Sequence, residues 1–353
     1  MYIEKLSLEN FRNYKMQTFD FCKDTNIIYG LNGQGKTNVI EAIYFFCNGK
    51  SYRSVHDSEV INFGGEYARI NADFFSQNRK NSAQIYLDKK KSVKINGIPI
   101  TKLSELVGLI NMVIFTPDGL NLIKSGPAVR RQFLDILISQ LKPLYFKTLL
   151  KYYKILAQRN NILKSGNKKM LSTIDIWNLN LAECAAVICK YRNEAIQNLN
   201  SYINLLNYEN ERENIKILYS ANIKGDFCDK SNIIKRLEEN LERDLDKKIT
   251  LCGPHRDDIE ILMNGKSIKK YGSQGQIRTC VLKLKLAECE IIKDITGEQP
   301  ILLLDDILSE LDEKRKTFFL KNIKNRQIII TSTEKEVLKG DCKYFNIQNG
   351  KVI

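Results

Sequence analysis

The chain has 353 residues, 55 Lys and Arg against 41 Asp and Glu, and a formal charge of +14. That length gives about two domains, or one large domain with an insertion, and a composition that is 43% hydrophobic and 9% aromatic excludes wholesale disorder. No run reaches the roughly 20 apolar residues of a membrane-spanning helix, and the nine cysteines form no CxxC pair. Met1–Lys5 carries no readable secretory signal, and scattered single thiols fit a reducing cytosol, so a cytoplasmic location without a membrane partner is expected. Only His56 and His255 offer imidazoles, too few for an expected structural zinc site. An isoelectric point near 9.2 points to a polyanionic partner, nucleic acid or an anionic membrane surface.

In chain order, Ile3, Leu6 and Leu8 mark a first strand, and Thr25–Tyr29 a second that ends at Gly30. From Lys36 to Cys47, Val39, Ile40, Ile43, Tyr44 and Cys47 recur at helical spacing. Strands follow at Ala68–Phe75, Ala83–Leu87 and Val93–Ile100, the last containing the hairpin turn Asn96-Gly97, and then at Asn111–Phe115. From about 130 to 163 the apolar residues have helical period, interrupted by Pro143. Ser165-Gly166-Asn167 is a turn, and a second stripe from Trp177 to Leu206 predicts about 30 residues of helix, roughly 45 Å long. Ile215–Ser220, Ile249–Cys252 and the alternating Ile259, Ile261 and Met263 read as strands, with Asn264-Gly265 as a further turn. A helix over about 274–293, the apolar strand Ile301–Leu304, a helix around 313–323 and the strand Gln327–Thr331 complete the pattern. Continuous apolar strands alternating with helices indicate a parallel sheet covered on both faces.

Three segments carry chemistry. Gly30-Leu31-Asn32-Gly33-Gln34-Gly35-Lys36-Thr37 matches GxxxxGK[ST] between a strand and a helix. Such a loop wraps its N–H groups around a phosphate, with Lys36 for the β- and γ-phosphates and the Thr37 hydroxyl for Mg²⁺. Ile301–Leu304 runs into Asp305-Asp306, which places Asp305 on the Mg²⁺ shell and Asp306 as general base or water-orienting group for attack on the γ-phosphate. Ser273-Gln274-Gly275-Gln276 opens a helix. Ser273 with Gln276 is a capping box, and Ser273, Gly275 and Gln276 also suit a second phosphate-binding helix N-terminus, supplied head-to-tail by another copy. Ser309-Glu310-Leu311-Asp312 follows the acidic strand at short range.

These segments resemble the ABC-type ATPase heads of the SMC superfamily, and specifically the bacterial RecF family. The resemblance also rests on Leu6–Tyr14, Ser51-Tyr52-Arg53, Phe115-Thr116-Pro117, Arg130–Asp135, Gln158-Arg159-Asn160, Gly253–Asp258 and Leu302–Asp312. It implies an ATP-dependent DNA-binding protein of recombinational repair and replication. Members dimerise around two ATP molecules, act with RecO and RecR to load recombinase at single-strand gaps, and are linked to SOS induction. A weak, DNA-stimulated ATPase used as a switch is expected, with ATP and Mg as ligands and single-stranded or gapped DNA as partner. Against the broader ABC pattern, Asp306 stands where Glu is usual, Gln274 where Gly is usual, and Thr331-Ser332-Thr333 where many members carry a His. No glutamine is placed in the Q-loop position. Two competing readings are a transporter-type nucleotide-binding subunit and a DNA-binding scaffold that uses ATP only as a structural ligand.

The expected fold is α/β: a split ABC-type P-loop ATPase head with an inserted helical-hairpin arm. Residues 1–117 form the lobe with the phosphate loop, 118–207 the arm, and 208–353 the lobe with the signature and acidic strand end. The arm carries 13 basic and 5 acidic residues, more than half of the excess charge. Lys124, Arg130, Arg131, Lys147, Lys151, Arg159, Lys168 and Lys169 are the candidate DNA-phosphate contacts there, although Arg130-Arg131 and Lys89–Lys91 also read as ordinary solvated basic faces. Arg12 reads either as a nucleotide neighbour or as a surface arginine at a strand end. His255, beside Pro254, reads as a turn or packing residue.

Overall fold

The computed structural model describes residues 1–54, 56–206, 214–335 and 341–353. They form two compact units, Met1–Leu120 with Val281–Ile353, and Asn121–Cys280.

The first unit is built on a six-stranded sheet in the order Lys351–Val352, Cys342–Gln348, Thr25–Tyr29, Ile328–Ser332, Ile301–Asp305 and Met112–Phe115. All neighbours are parallel except the edge hairpin at Lys351–Val352. Ile301–Asp305 and Ile328–Ser332 are buried at every position, as their unbroken apolar runs require. The helix Lys36–Asn48 is apolar nearly all round and correspondingly buried, with Phe45 edge-on to Phe11 at 6.0 Å. An antiparallel sheet of Tyr14–Asp20, Tyr2–Phe11, Ala68–Ser76, Arg79–Leu87, Lys91–Ile95 and Ile98–Ile100 completes the unit. Asn96 and Gly97 turn its last hairpin at φ 50° and 79°, the pair of positive values that an Asn-Gly turn adopts.

In the second unit the helical pattern breaks at Lys142 (φ −132°), giving Pro127–Leu141 and Pro143–Ser165. Pro143 opens the second helix, where its missing N–H costs nothing. Gly166, at φ 60°, ends that helix. The 32-residue helix Ile174–Leu205 then packs along Pro143–Ser165.

Two expectations are corrected here. Residues 214–280 do not join the sheet unit, so the expected lobe 208–353 is divided at Cys280; its expected start at 207/208 lies outside the described residues. The physical reason is the strand Ile215–Ser220, which pairs with Asp258–Met263 and lies on the long helix. There Asn200 donates to Ile217 O at 2.8 Å and accepts from Ile217 N at 2.7 Å. Nor is there a strand at Ile249–Cys252. Side chains take its backbone donors: Thr250 N donates to Asn160 Oδ1 at 2.8 Å and Leu251 N to Asp244 Oδ1 at 2.9 Å, which leaves no ladder to form.

The same interior removes two candidate DNA contacts. Arg159 is fully buried and donates to Asp244 (2.7 Å), Thr250 (2.7 Å) and Asn178 (2.9 Å). Arg130 is buried in a two-pronged pair with Asp258 at 2.7 and 3.0 Å. Arg192 links Asp135 to Pro254 O, at 2.8 and 2.7 Å. These arginines tie the helices to residues 244–258, and their guanidinium groups are buried and engaged with protein oxygens. Arg131 is half-buried and donates to Asp257 O at 2.6 Å. Lys124, Lys147, Lys151, Lys168 and Lys169 are exposed, as are Lys154 and Lys164.

His255 is a packing residue. Thr250 O can only accept, so Nε2 donates to it (3.0 Å) and Nδ1 accepts from the Tyr152 hydroxyl (2.7 Å). Burial, with Arg256, Arg131 and Arg159 nearby, pulls this imidazole down to about 4.

Two outcomes follow for stability. Arg159→Met leaves the Asp244 charge buried without its partner and should cost about 3–5 kcal/mol. Lys147→Met, on the surface, should change stability by less than about 0.5 kcal/mol; equal denaturation midpoints for the two would refute the buried-pair account. Between pH 6.5 and about 4 the unfolded chain protonates His255 while the folded one does not. Stability should therefore fall across that window as pH drops, by up to about 3 kcal/mol from this group, and His255→Gln should flatten the loss. An unchanged pH profile in that variant would contradict the assignment.

Candidate nucleotide and magnesium site

The loop Gly30–Gly35 leaves the strand Thr25–Tyr29 and delivers the chain into the helix Lys36–Asn48. Gly30 has φ 146°, and a Cβ there would lie 2.4 Å from Ile347 O. Gly35 has φ 108°, and its Cβ would strike the Asn13 side chain at 2.4 Å. Only glycine fits either position. Asn13 holds the loop by donating to Gln34 O at 2.8 Å. The C-terminal turn holds it from the other side, where Asn349 N donates to Gln34 Oε1 at 2.6 Å. Leu31 is exposed, and nothing lies within 4 Å of a Cβ placed on Gly33. The cradle is thus braced at Gln34 and open at its crown.

Lys36 Nζ donates to two loop carbonyls, Gly30 O at 2.7 Å and Leu31 O at 2.9 Å. Burial lowers its pKa from the ordinary lysine value, against the opposing pull of Asp306 and Asp305. Thr37 Oγ1 donates to Asp305 Oδ1 at 2.9 Å across 268 residues of sequence. That oxygen also accepts from Thr331 Oγ1 at 2.8 Å, and Oδ2 accepts from the Tyr52 hydroxyl at 3.0 Å. Asp306 is half-buried and left-handed at φ 51°; its N–H donates to Thr331 Oγ1 at 3.0 Å. Ser309 Oγ donates to Asp306 O at 2.8 Å, and Asp312 caps the next helix through Arg315 N at 2.8 Å.

Thr37 and Asp305 converge as two hard oxygen donors beside a lysine and a glycine-rich loop that is open at Leu31 and Gly33. That set fits Mg²⁺ and a polyphosphate, since Mg²⁺ takes one or two protein oxygens and completes its shell with phosphates and water.

Lys36, Thr37, Asp305 and Asp306 are therefore gathered in the first unit, whereas Ser273, Gly275 and Gln276 belong to the second. Ser273 and Gln276 make the expected capping box: Ser273 N donates to Gln276 Oε1 at 3.0 Å and Gln276 N to Ser273 Oγ at 3.2 Å. Arg12 commits its guanidinium to Glu41, at 3.0 and 2.6 Å, to Glu59 O at 2.7 Å, and to Ser54. Glu41 is fully buried one helical turn beyond Thr37 and also accepts from Ser51. Glu41, Ser51 and the hydroxyls of Tyr52 and Thr331 had no assigned role in the sequence. Ser51-Tyr52-Arg53 is conspicuous there only as part of a family resemblance.

The described helices include none long and apolar enough to cross a membrane. A family model for the RecF/RecN/SMC N-terminal domain matches residues 2–351. The chain is 43% identical to the DNA replication and repair protein RecF of Acetivibrio thermocellus, over 99% of both chains. It is 42% identical to that of Clostridium perfringens, covering 100% of this chain and 99% of the relative. A solved structure of the recombination mediator protein RecF with ATP, from the RecFOR pathway, superposes with TM-score 0.93 at 37% identity, covering 100% and 97% of the two chains. An Smc head bound to the C-terminal winged-helix domain of ScpA superposes at TM-score 0.56 and 20% identity, a likeness of fold. With relatives above 40% identical from end to end and one family model spanning nearly every residue, the chain belongs to the RecF family of ABC-type, SMC-like ATPases.

Proposed function

We propose that the protein binds ATP and Mg²⁺ at Gly30–Thr37 and Asp305, dimerises on ATP, and binds DNA in replication and recombinational repair. The observation that carries the reading is the 2.9 Å bond between Thr37 and Asp305, which brings together the two oxygen donors that would hold Mg²⁺. The family's names in replication and repair, and the ATP held by its solved relative, support the same conclusion.

In this reading the amides of Leu31, Asn32, Gly33, Gln34 and Gly35 wrap the phosphates, and Lys36 turns from the loop carbonyls to the β- and γ-phosphates. Thr37 and Asp305 hold Mg²⁺, which when bound neutralises charge on the phosphate oxygens. Asp306 orients or deprotonates the attacking water; being one methylene shorter than Glu, it suits slow hydrolysis that acts as a switch. Ser273, Gly275 and Gln276 of one copy close on the γ-phosphate held by the other, at the N-terminus of a long helix. Arg12, paired with Glu41, is the nucleotide neighbour of this reading. Nucleotide state then selects between open and closed dimers by differential affinity. RecO and RecR as partners, recombinase loading at single-strand gaps, the SOS link, DNA-stimulated turnover and a cytoplasmic location complete the proposal.

Sedimentation with ATP and Mg²⁺ tests the dimer. The wild type should shift to dimer at micromolar concentration, Asp306→Asn should hold the dimer longer, and Lys36→Ala should stay monomeric and fail to bind nucleotide. Lys36→Arg should bind but turn over poorly, because a planar guanidinium does not replace a compact ammonium. Normal turnover by Lys36→Ala would overturn the site.

The charge supports the DNA half of the reading. Residues 121–280 carry 27 basic and 17 acidic residues, +10 of the total +14. Lys147, Lys151 and Lys154 are exposed on Pro143–Ser165 at i, i+4 and i+7, one face of that helix. Replacing all three with Gln should reduce the log–log salt slope of DNA binding by about 2–3 while ATP affinity stays unchanged. A slope equal to the wild type would move the DNA surface elsewhere.

A further inference from the structure

A carboxylate that holds Mg²⁺ together with Thr37 must be aimed, and the partners of Asp305 show how. Its Oδ1 accepts from Thr37 and Thr331, and its Oδ2 accepts only from the Tyr52 hydroxyl, at 3.0 Å, among the described residues. Tyr52 is not on a regular element. It sits on the short segment after the helix Lys36–Asn48, and that segment is latched in place. Ser51 Oγ donates to the buried Glu41 and accepts the N–H groups of Arg53 and Ser54, both at 2.9 Å. The Tyr52 ring stands edge-on to Tyr44 of the helix, centroids 5.3 Å apart. Backbone and ring are therefore both fixed, and the hydroxyl proton can point only at an acceptor. A carboxylate that uses one oxygen for a metal and has the other hydrogen-bonded keeps a single orientation.

We propose that Tyr52 is the positioning residue of the magnesium-binding carboxylate: its hydroxyl holds Oδ2 of Asp305 so that Oδ1 faces the Thr37 hydroxyl. A neutral donor orients the carboxylate without cancelling the charge that attracts the cation. The proposal rests on Thr37 and Asp305 being the magnesium site.

The test is a Mg²⁺ titration of fluorescent-ATP binding to the full chain, repeated with Mn²⁺ and read by electron paramagnetic resonance. Tyr52→Phe keeps the ring and its contact with Tyr44, so the melting temperature and metal-free nucleotide binding should match the wild type. The Mg²⁺ concentration at half-saturation should rise about 10-fold, the usual scale for losing a partner of a metal ligand. Thr37→Val is the control. If Thr37→Val raises the Mg²⁺ midpoint and Tyr52→Phe does not, the positioning role is wrong and the site stands. If neither variant moves it, the magnesium reading fails with it.

Discussion

A buried carboxylate at the end of a buried strand organises the unit that carries the phosphate-loop motif. Asp305 terminates Ile301–Asp305, where every residue is buried, and a charge in that position cannot be left without partners. Three hydroxyls meet it, from Thr37, Thr331 and Tyr52, and it forms no ion pair among the described residues. Neutral donors satisfy its lone pairs and leave its negative charge in place. Lys36, the nearest cation of the phosphate loop, is occupied by Gly30 and Leu31 carbonyls. The carboxylate is thus held by neutral hydroxyls and is not bonded to the lysine of its own loop.

The second buried acid, Glu41, does the complementary work. It lies on the same helix as Thr37 and ties Arg12 to the segment that carries Ser51 and Arg53. The residue after the strand Tyr2–Phe11, the helix Lys36–Asn48 and the segment 51–54 are thereby joined. On the opposite side the turn at Asn349 and Gly350 contacts Gln34, so residues at the far end of the chain brace the phosphate loop. A loop rich in glycine is intrinsically floppy; here its conformation is imposed from outside by side-chain and backbone contacts.

The second unit uses arginine differently. Arg130, Arg159 and Arg192 are buried and paired, so net positive charge is a poor guide to which cations face a polyanion. Lysines supply the exposed charge on Pro143–Ser165 and the turn after it. The division is chemical. A planar guanidinium can bond several oxygens at once and so repay its burial, whereas an ammonium is strongly hydrated and stays in water.

Much of the fold was legible from the amino acids alone. Apolar runs marked the parallel strands, period 3.6 marked the long helices, Pro143 marked their break, and GxxxxGKT with Asp305-Asp306 marked residues that the fold brings together. Those signals are local, because backbone propensity and burial pattern are properties of neighbouring residues. The sequence did not show that Ile249–Cys252 would lose its strand to Asn160 and Asp244, that Arg159 and Arg130 would be interior, or that residues 214–280 would pack with the helices. Nor did it show that Tyr52 would reach Asp305, 253 residues away. Each of these depends on which distant side chain arrives to satisfy a buried polar group, and only the tertiary structure decides that, because the partners become neighbours only once the chain has folded.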